Sequence, residues 1–174
     1  MRAEKDATTV EGLRGLISMT LALIPAHKKP DAVKNVKVYW FRRLATSMGQ
    51  SSPSDTVKNL IEAINQGNID TALDFYKPEA AIIAQPGNTA RGRDAVRAAL
   101  QGFISLKPSL KGGAHQVIEA GGVALYSSKW TLVGTSPEGK QVEMSGTSSD
   151  VLRQQKDGQW LVAVDNPWGT SIVD

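Results

Sequence analysis

The spacing of apolar residues changes once along this chain, and that change limits the folds open to it. From Ser54 to Ile64 and again from Asp94 to Leu106 apolar residues recur every third or fourth position, whereas beyond Pro108 they recur every second. The first period is helical and the second is that of a strand with one buried face. Helices followed by an uninterrupted meander of strands predict an α+β fold, with the helices gathered on one face of a curved antiparallel sheet.

Ser54 or Asp55 is placed to cap a first helix, in which Val57, Leu60, Ile61 and Ile64 form one stripe. Gly67 suits a left-handed C-cap, and Asn68 can cap a shorter helix from Ile69 to Tyr76. Pro78 predicts a break, followed by a short strand from Ala80 to Gln85 and a turn at Pro86-Gly87-Asn88. A third helix is expected from Asp94 to Leu106. The later strands are expected at 114–120, 123–133, 141–155 and 160–166, with Gly121-Gly122, residues 136–140 and Lys156-Asp157-Gly158 as turns.

The last strand contains the most informative side chain. Asp165 follows Val162, Ala163 and Val164, and apolar neighbours of that kind raise a carboxyl pKa and make a better base near neutral pH. Either Asp165 serves a ligand pocket, as general base or acid, or it accepts backbone amides around Asn166-Pro167-Trp168-Gly169 and orders the terminus. Gln85, His115 and Thr147 are candidate polar aids. Trp130, Trp168 and Tyr76 are candidate walls, since rings bury a flat ligand at small entropic cost.

Other chemistry finds little support. The chain has no cysteine and only His27 and His115, far apart, so thiolate metal sites and histidine clusters are excluded and no metal or cofactor is expected. The run from Gly87 to Asp94 has the glycine spacing of a phosphate loop, but Arg93 and Asp94 stand where lysine and a hydroxyl are needed. A strand-to-helix turn explains it better, with Asp94 favoured by the helix dipole. No G-x-S-x-G elbow exposes a serine nucleophile.

Charge divides the chain. Residues 1–52 hold nine Lys/Arg against four Asp/Glu, and the remainder holds eleven against thirteen. The folded part therefore lacks the net positive charge of a nucleic-acid binder, and none is expected as a partner. Residues 1–52 are expected to be a poorly ordered basic extension and residues 53–174 the domain. The apolar stretch 13–24 is short for a membrane span of about 20 residues and poor as an export signal. The expectation is a cytoplasmic protein with no integral membrane segment.

The element order, with Gly67-Asn-Ile-Asp-Thr-Ala-Leu-Asp-Phe-Tyr76, Arg91-Gly-Arg-Asp-Ala-Val96, Asp157-Gly-Gln-Trp160 and the ending Val164-Asp-Asn-Pro-Trp-Gly169, resembles the nuclear-transport-factor-2-like superfamily. The resemblance is nearest to small bacterial SnoaL-like or ketosteroid-isomerase-like proteins and covers residues 55–169. It implies a cone of three helices on a strongly bent sheet, an apolar pocket at the open end and a homodimer through the outer sheet face. The isomerase residues do not carry over: the tyrosine position falls on Leu60, the base on Ala84 or Gln85 and the oxyanion acid on Thr147. The implied function is binding, with or without transformation, of a small hydrophobic molecule. The alternative is a non-catalytic dimeric binding or protein-interaction module.

Overall fold

The computed structural model describes residues 52–173. The expectations for the basic extension and the apolar stretch 13–24 lie outside the described residues. Helix α1 spans Pro53–Asn65, α2 Ile69–Leu73 and α3 Arg93–Ser105. The strands are β1 (Tyr76–Gln85), β2 (Asn88–Arg91), β3 (Ser109–Ala120), β4 (Val123–Thr135), β5 (Gln141–Gln154) and β6 (Trp160–Asp165), and a 3-10 turn covers Gly169–Ile172. The six strands form one curved, unclosed sheet in the order β2-β1-β6-β5-β4-β3. All neighbours are antiparallel except β1 and β6.

The α1 cap lies slightly upstream of its expected position. Ser52 accepts from the Asp55 amide, and Pro53 occupies the first helical turn, where its missing N–H costs no bond. Val57, Leu60 and Ile64 form the buried stripe, with Ile61 packed half-buried against it. At the other end of α1, Asn65 exchanges two hydrogen bonds with the Leu110 backbone at 2.9 and 2.7 Å, clamping α1 to β3. Gly67 has φ +68, the left-handed cap that its position suggested.

Strand β2 was not expected from the sequence, β3 begins at Ser109 rather than at 114, and two further differences lie around β1. Helix α2 stops at Leu73, and Tyr76 opens β1 instead of closing the helix. The Val162 amide donates to the Phe75 carbonyl at 2.8 Å, so pairing with β6 claims these residues. Pro78 sits inside β1 rather than breaking the chain. The β1–β6 register shifts between Tyr76 and Ala81, and β2 pairs only from Ala81 onward. Pro78 therefore occupies a stretch where no ladder needs its missing donor.

The core lies between the helices and the concave sheet face. Leu73, Ile82, Leu100, Leu132 and Leu152 are fully buried. On β4 the even positions from Ala124 to Gly134 are buried, and on β5 Ser148, Asp150 and Leu152 share that face. Thr56 ties α1 to the sheet by donating to the Trp160 carbonyl at 2.9 Å. No helix among the described residues is long and apolar enough to cross a membrane.

Candidate functional site

Alternation alone would turn Asp165 outward, because Trp160 and Val162 point in. A bulge prevents this. Val151 pairs with Val164 and Leu152 with Val162, so β6 spends two residues against one at Ala163. Val164 consequently faces outward and Asp165 returns to the concave side, opposite Ile82 of β1.

There Asp165 borders a cavity of about 100 Å³. Its apolar wall comes from Leu60 and Ile64 of α1, Leu100 and Phe103 of α3, and Trp130 and Leu132 of β4. The polar surface consists of Ser128, Ser148, Asp150 and Asp165. Asp165 accepts a short hydrogen bond from the Tyr76 hydroxyl. Burial pushes its carboxyl up to about 6, and the Tyr76 bond opposes that rise. The Tyr76 phenol is itself held well above its ordinary value, by burial first and then by the Asp165 charge and hydrogen bond.

Asp150 is the residue the sequence analysis missed. It is buried, and burial followed by the Asp165 charge pushes it up to about 8. Asp150 Oδ1 accepts from the Asn166 amide at 2.9 Å, and Oδ2 faces Ser148 Oγ at 2.9 Å. Ser148 Oγ in turn lies 3.1 Å from Ser128 Oγ. The backbone amide expected at Asp165 thus goes to Asp150, and Asp165 takes a phenol instead. The two acids behave as one coupled pair. Burial raises both carboxyls, and the Asp165 charge adds to the rise at Asp150, so the pair loses its two protons in separate steps. A sequence signal existed: Asp150 shares strand parity with Leu152, so an inward Leu152 implies an inward Asp150.

The C-terminal segment fastens the mouth. Trp130 Nε1 donates to the Pro167 carbonyl at 2.7 Å, and Trp168 Nε1 donates to the Ile83 carbonyl at 2.9 Å. The two indoles meet edge to face with centroids 6.2 Å apart. Trp130 fits inside because its cross-strand partner is Gly146, where an added Cβ would lie 2.9 Å from the indole.

The remaining candidates do not gather at this cavity. Gln85 is exposed at the end of β1. His115 stacks on Tyr126 at 5.2 Å, with Nε2 3.3 Å from Ser54 Oγ. Thr147 faces the outer surface, where with Trp168 it borders a hydroxyl-rich groove of about 490 Å³. Trp130 is the one expected wall residue that lines the inner cavity, while Tyr76 reaches it through Asp165. No group of three or more His, Asp or Glu suited to a metal occurs among the described residues. Of the phosphate-loop segment, Gly87 lies in the β1–β2 turn and Asp94 in the first turn of α3, a hairpin followed by a helix start.

Solved structures share this architecture. A nuclear transport factor 2-like superfamily protein of Salmonella enterica subsp. enterica serovar Typhimurium str. LT2 aligns with a TM-score of 0.60 at 15% identity, covering 76% of this chain and 92% of that one. A candidate scytalone dehydratase of Novosphingobium aromaticivorans DSM 12444 gives 0.60 at 14%, over 71% and 83%. A candidate ketosteroid isomerase of Shewanella frigidimarina NCIMB 400 gives 0.56 at 19%, over 64% and 90%. These likenesses establish the cone fold. No curated protein matches the sequence. The SnoaL-like domain model matches residues 57–163, from the middle of α1 into β6. The chain therefore belongs to the SnoaL-like domain family and has the fold of nuclear-transport-factor-2-like proteins.

Proposed function

We propose that the cavity binds a small, largely apolar molecule carrying one oxygen, and that Asp165 moves a proton on it. The observation that carries this is the pairing of a buried carboxyl, Asp150, held by the Ser148 hydroxyl and the Asn166 amide, with a half-buried one, Asp165, held by the Tyr76 phenol, both lining one apolar cavity. A base with a pKa near 6 is ionised at neutral pH yet still basic enough to abstract a proton efficiently. Asp150, kept neutral by its surroundings, supplies hydrogen bonding to the oxygen of the ligand through the serines. Proton removal at one carbon and return at another, or loss of water, are the reaction classes that such a pair serves. The isomerase and dehydratase assignments of structural neighbours are compatible with both.

Size narrows the ligand. A cavity of ~150 Å³ holds benzene, so about 100 Å³ suits a single small ring or a short chain. A whole steroid would have to extend through the mouth. The domain also pairs with itself through its outer sheet face. There Ile118, Leu125, Val151 and Val164 form an in-register row across four strands, and Ile118 is 57% exposed and Leu125 40%. A row of that kind fits a subunit interface better than open water.

The test is deuterium exchange at the α-carbons of cyclopentanone, followed by NMR. The wild type should accelerate exchange between about pH 6 and 8, where Asp165 is ionised and Asp150 protonated. Asp165→Asn should abolish the acceleration while ketone affinity changes little. Binding without exchange would reduce the domain to a carrier, and absence of both would remove the cavity from its function.

A further inference from the structure

Ser128, Ser148 and Asp150 form a chain whose hydrogen count gives it a direction. Each serine hydroxyl has one hydrogen, and Asp150 Oδ1 is already engaged by the Asn166 amide. Asp150 Oδ2, Ser148 Oγ and Ser128 Oγ stand 2.9 and 3.1 Å apart in sequence, so the hydrogens between them must all point one way. When Asp150 is ionised, Ser148 donates to it and Ser128 donates to Ser148. Ser128 then has only lone pairs left to offer. When Asp150 is protonated, Oδ2 donates to Ser148 and Ser148 to Ser128, which frees the Ser128 hydrogen for another acceptor. Both arrangements keep the two links of the chain, so reversal breaks neither of them.

Ser128 lines the cavity, so the valence that the chain leaves open is the one for which an occupant and the Tyr126 hydroxyl compete. We infer that this chain is a reversible polarity selector: it offers a hydrogen to a carbonyl oxygen in one state and lone pairs to a hydroxyl donor in the other. The inference rests on the proposal that the cavity binds a small oxygen-bearing molecule, and adds to it which kind of oxygen is accepted and what changes the choice. Selection is imposed because a ligand whose oxygen mismatches the free valence buries an unpaired polar group.

Asp150 sets the state, and the groups facing it are few. They are Asp165 from β6 and the phenols of Tyr76 from β1 and Tyr126 from β4. The helices contribute only apolar side chains to the cavity. Asp165 titrates near 6, and burial raises both phenols above their ordinary range. Between pH 7 and 9 the change at this cavity therefore belongs to Asp150, whose carboxyl sits near 8. Tyr126 is the competitor for the far end of the chain, since Ser128 also hydrogen-bonds its hydroxyl.

The experiment measures the affinities of cyclopentanone, cyclopentanol and cyclopentane for the full chain at pH 7 and pH 9. Cyclopentane reports the cavity alone and should bind equally at both. The ketone-to-alcohol affinity ratio should fall roughly fivefold to tenfold from pH 7 to pH 9, the factor carried by about one hydrogen bond. Asp150→Asn replaces the carboxyl with an amide that can only donate toward Ser148, and should hold the ratio at its pH 7 value throughout. Ser148→Ala, which cuts the chain, should remove the pH dependence as well. If all three probes bind and the wild-type ratio does not change with pH, the selector is overturned and the binding cavity stands. If none binds, cyclopentane included, the cavity reading fails and the selector with it. The wild-type measurement decides the matter even if a variant does not fold.

Discussion

The two faces of β4 and β5 are made by the same strands in the same register, yet they follow opposite rules. On the concave face Tyr126, Ser128, Trp130, Ser148, Asp150 and Leu152 are all buried. The polar members Ser128, Ser148 and Asp150 are joined to one another, and the Trp130 nitrogen is bonded to the Pro167 carbonyl. On the convex face Leu125, Lys129, Thr131, Ser145 and Thr147 are exposed. Burial explains the contrast. A polar group out of water must find a partner or cost stability, whereas on the wet face water serves any of them. One strand can thus carry a buried, hydrogen-bonded carboxyl and, one residue away, a side chain that water alone serves.

The comparison breaks most visibly at Leu152 and Val151. Leu152 is fully buried, so Leu152→Ala should cost about 2–5 kcal/mol through lost transfer energy and a residual cavity. Val151→Ala, on the outer side, should cost well under about 1.5 kcal/mol. Urea denaturation of both variants checks the difference, and similar losses would mean that the faces are not distinct.

Gly146 offers a second test. Gly146→Ala drives a methyl group into the Trp130 indole and should cost about 1–3 kcal/mol, with a change in tryptophan fluorescence. Its neighbour Ser145→Ala should lie within about 0.5 kcal/mol of wild type. An unchanged Trp130 signal in Gly146→Ala would show that the ring does not rest on this glycine.

Asp150 makes the contrast depend on pH. Its folded pKa, near 8, lies above the ordinary carboxylate value. Between about pH 4 and 8 the folded state keeps a proton that the unfolded chain has lost, so Asp150 makes stability fall as pH rises. The slope from this one group is at most ~1.4 kcal/mol per pH unit. Asp165 acts in the same sense over the narrower window up to about 6. Asp150→Asn should flatten the decline, measured as the urea midpoint from pH 5 to 8.5. Removal of an exposed acid such as Glu143 serves as the control.

The smallest expected effect on folding falls on the outer row. Leu125→Lys should change the stability of the domain by about 0.5 kcal/mol or less while shifting sedimentation from dimer to monomer. A wild-type chain that sediments as a monomer at high concentration would remove the subunit interface from that face.

Much of the molecule is legible from residue order alone. The change of period near Pro108, the caps at Gly67 and Asn68 and the turns at Gly121-Gly122 and Asp157-Gly158 fix three helices and a meander, because each depends on local backbone geometry and local burial. Asp165 is conspicuous for the same reason, as a charge in an apolar run. Other features depend on pairing between distant segments. Tyr76 belongs to β1 because β6 claims it, and Pro78 is tolerated because no ladder runs past it. The bulge at Ala163, which turns Asp165 inward, exists only as a mismatch between β5 and β6. Asp150 meets Asp165 and the serines only once strand parity is set across β4, β5 and β6. The sequence by itself determined the three helices, the later strands with their order and one suspicious acid, since those follow from interactions among near neighbours. Tertiary structure alone decided which side chains share the cavity, because a single-residue shift in pairing exchanges the two faces of a strand.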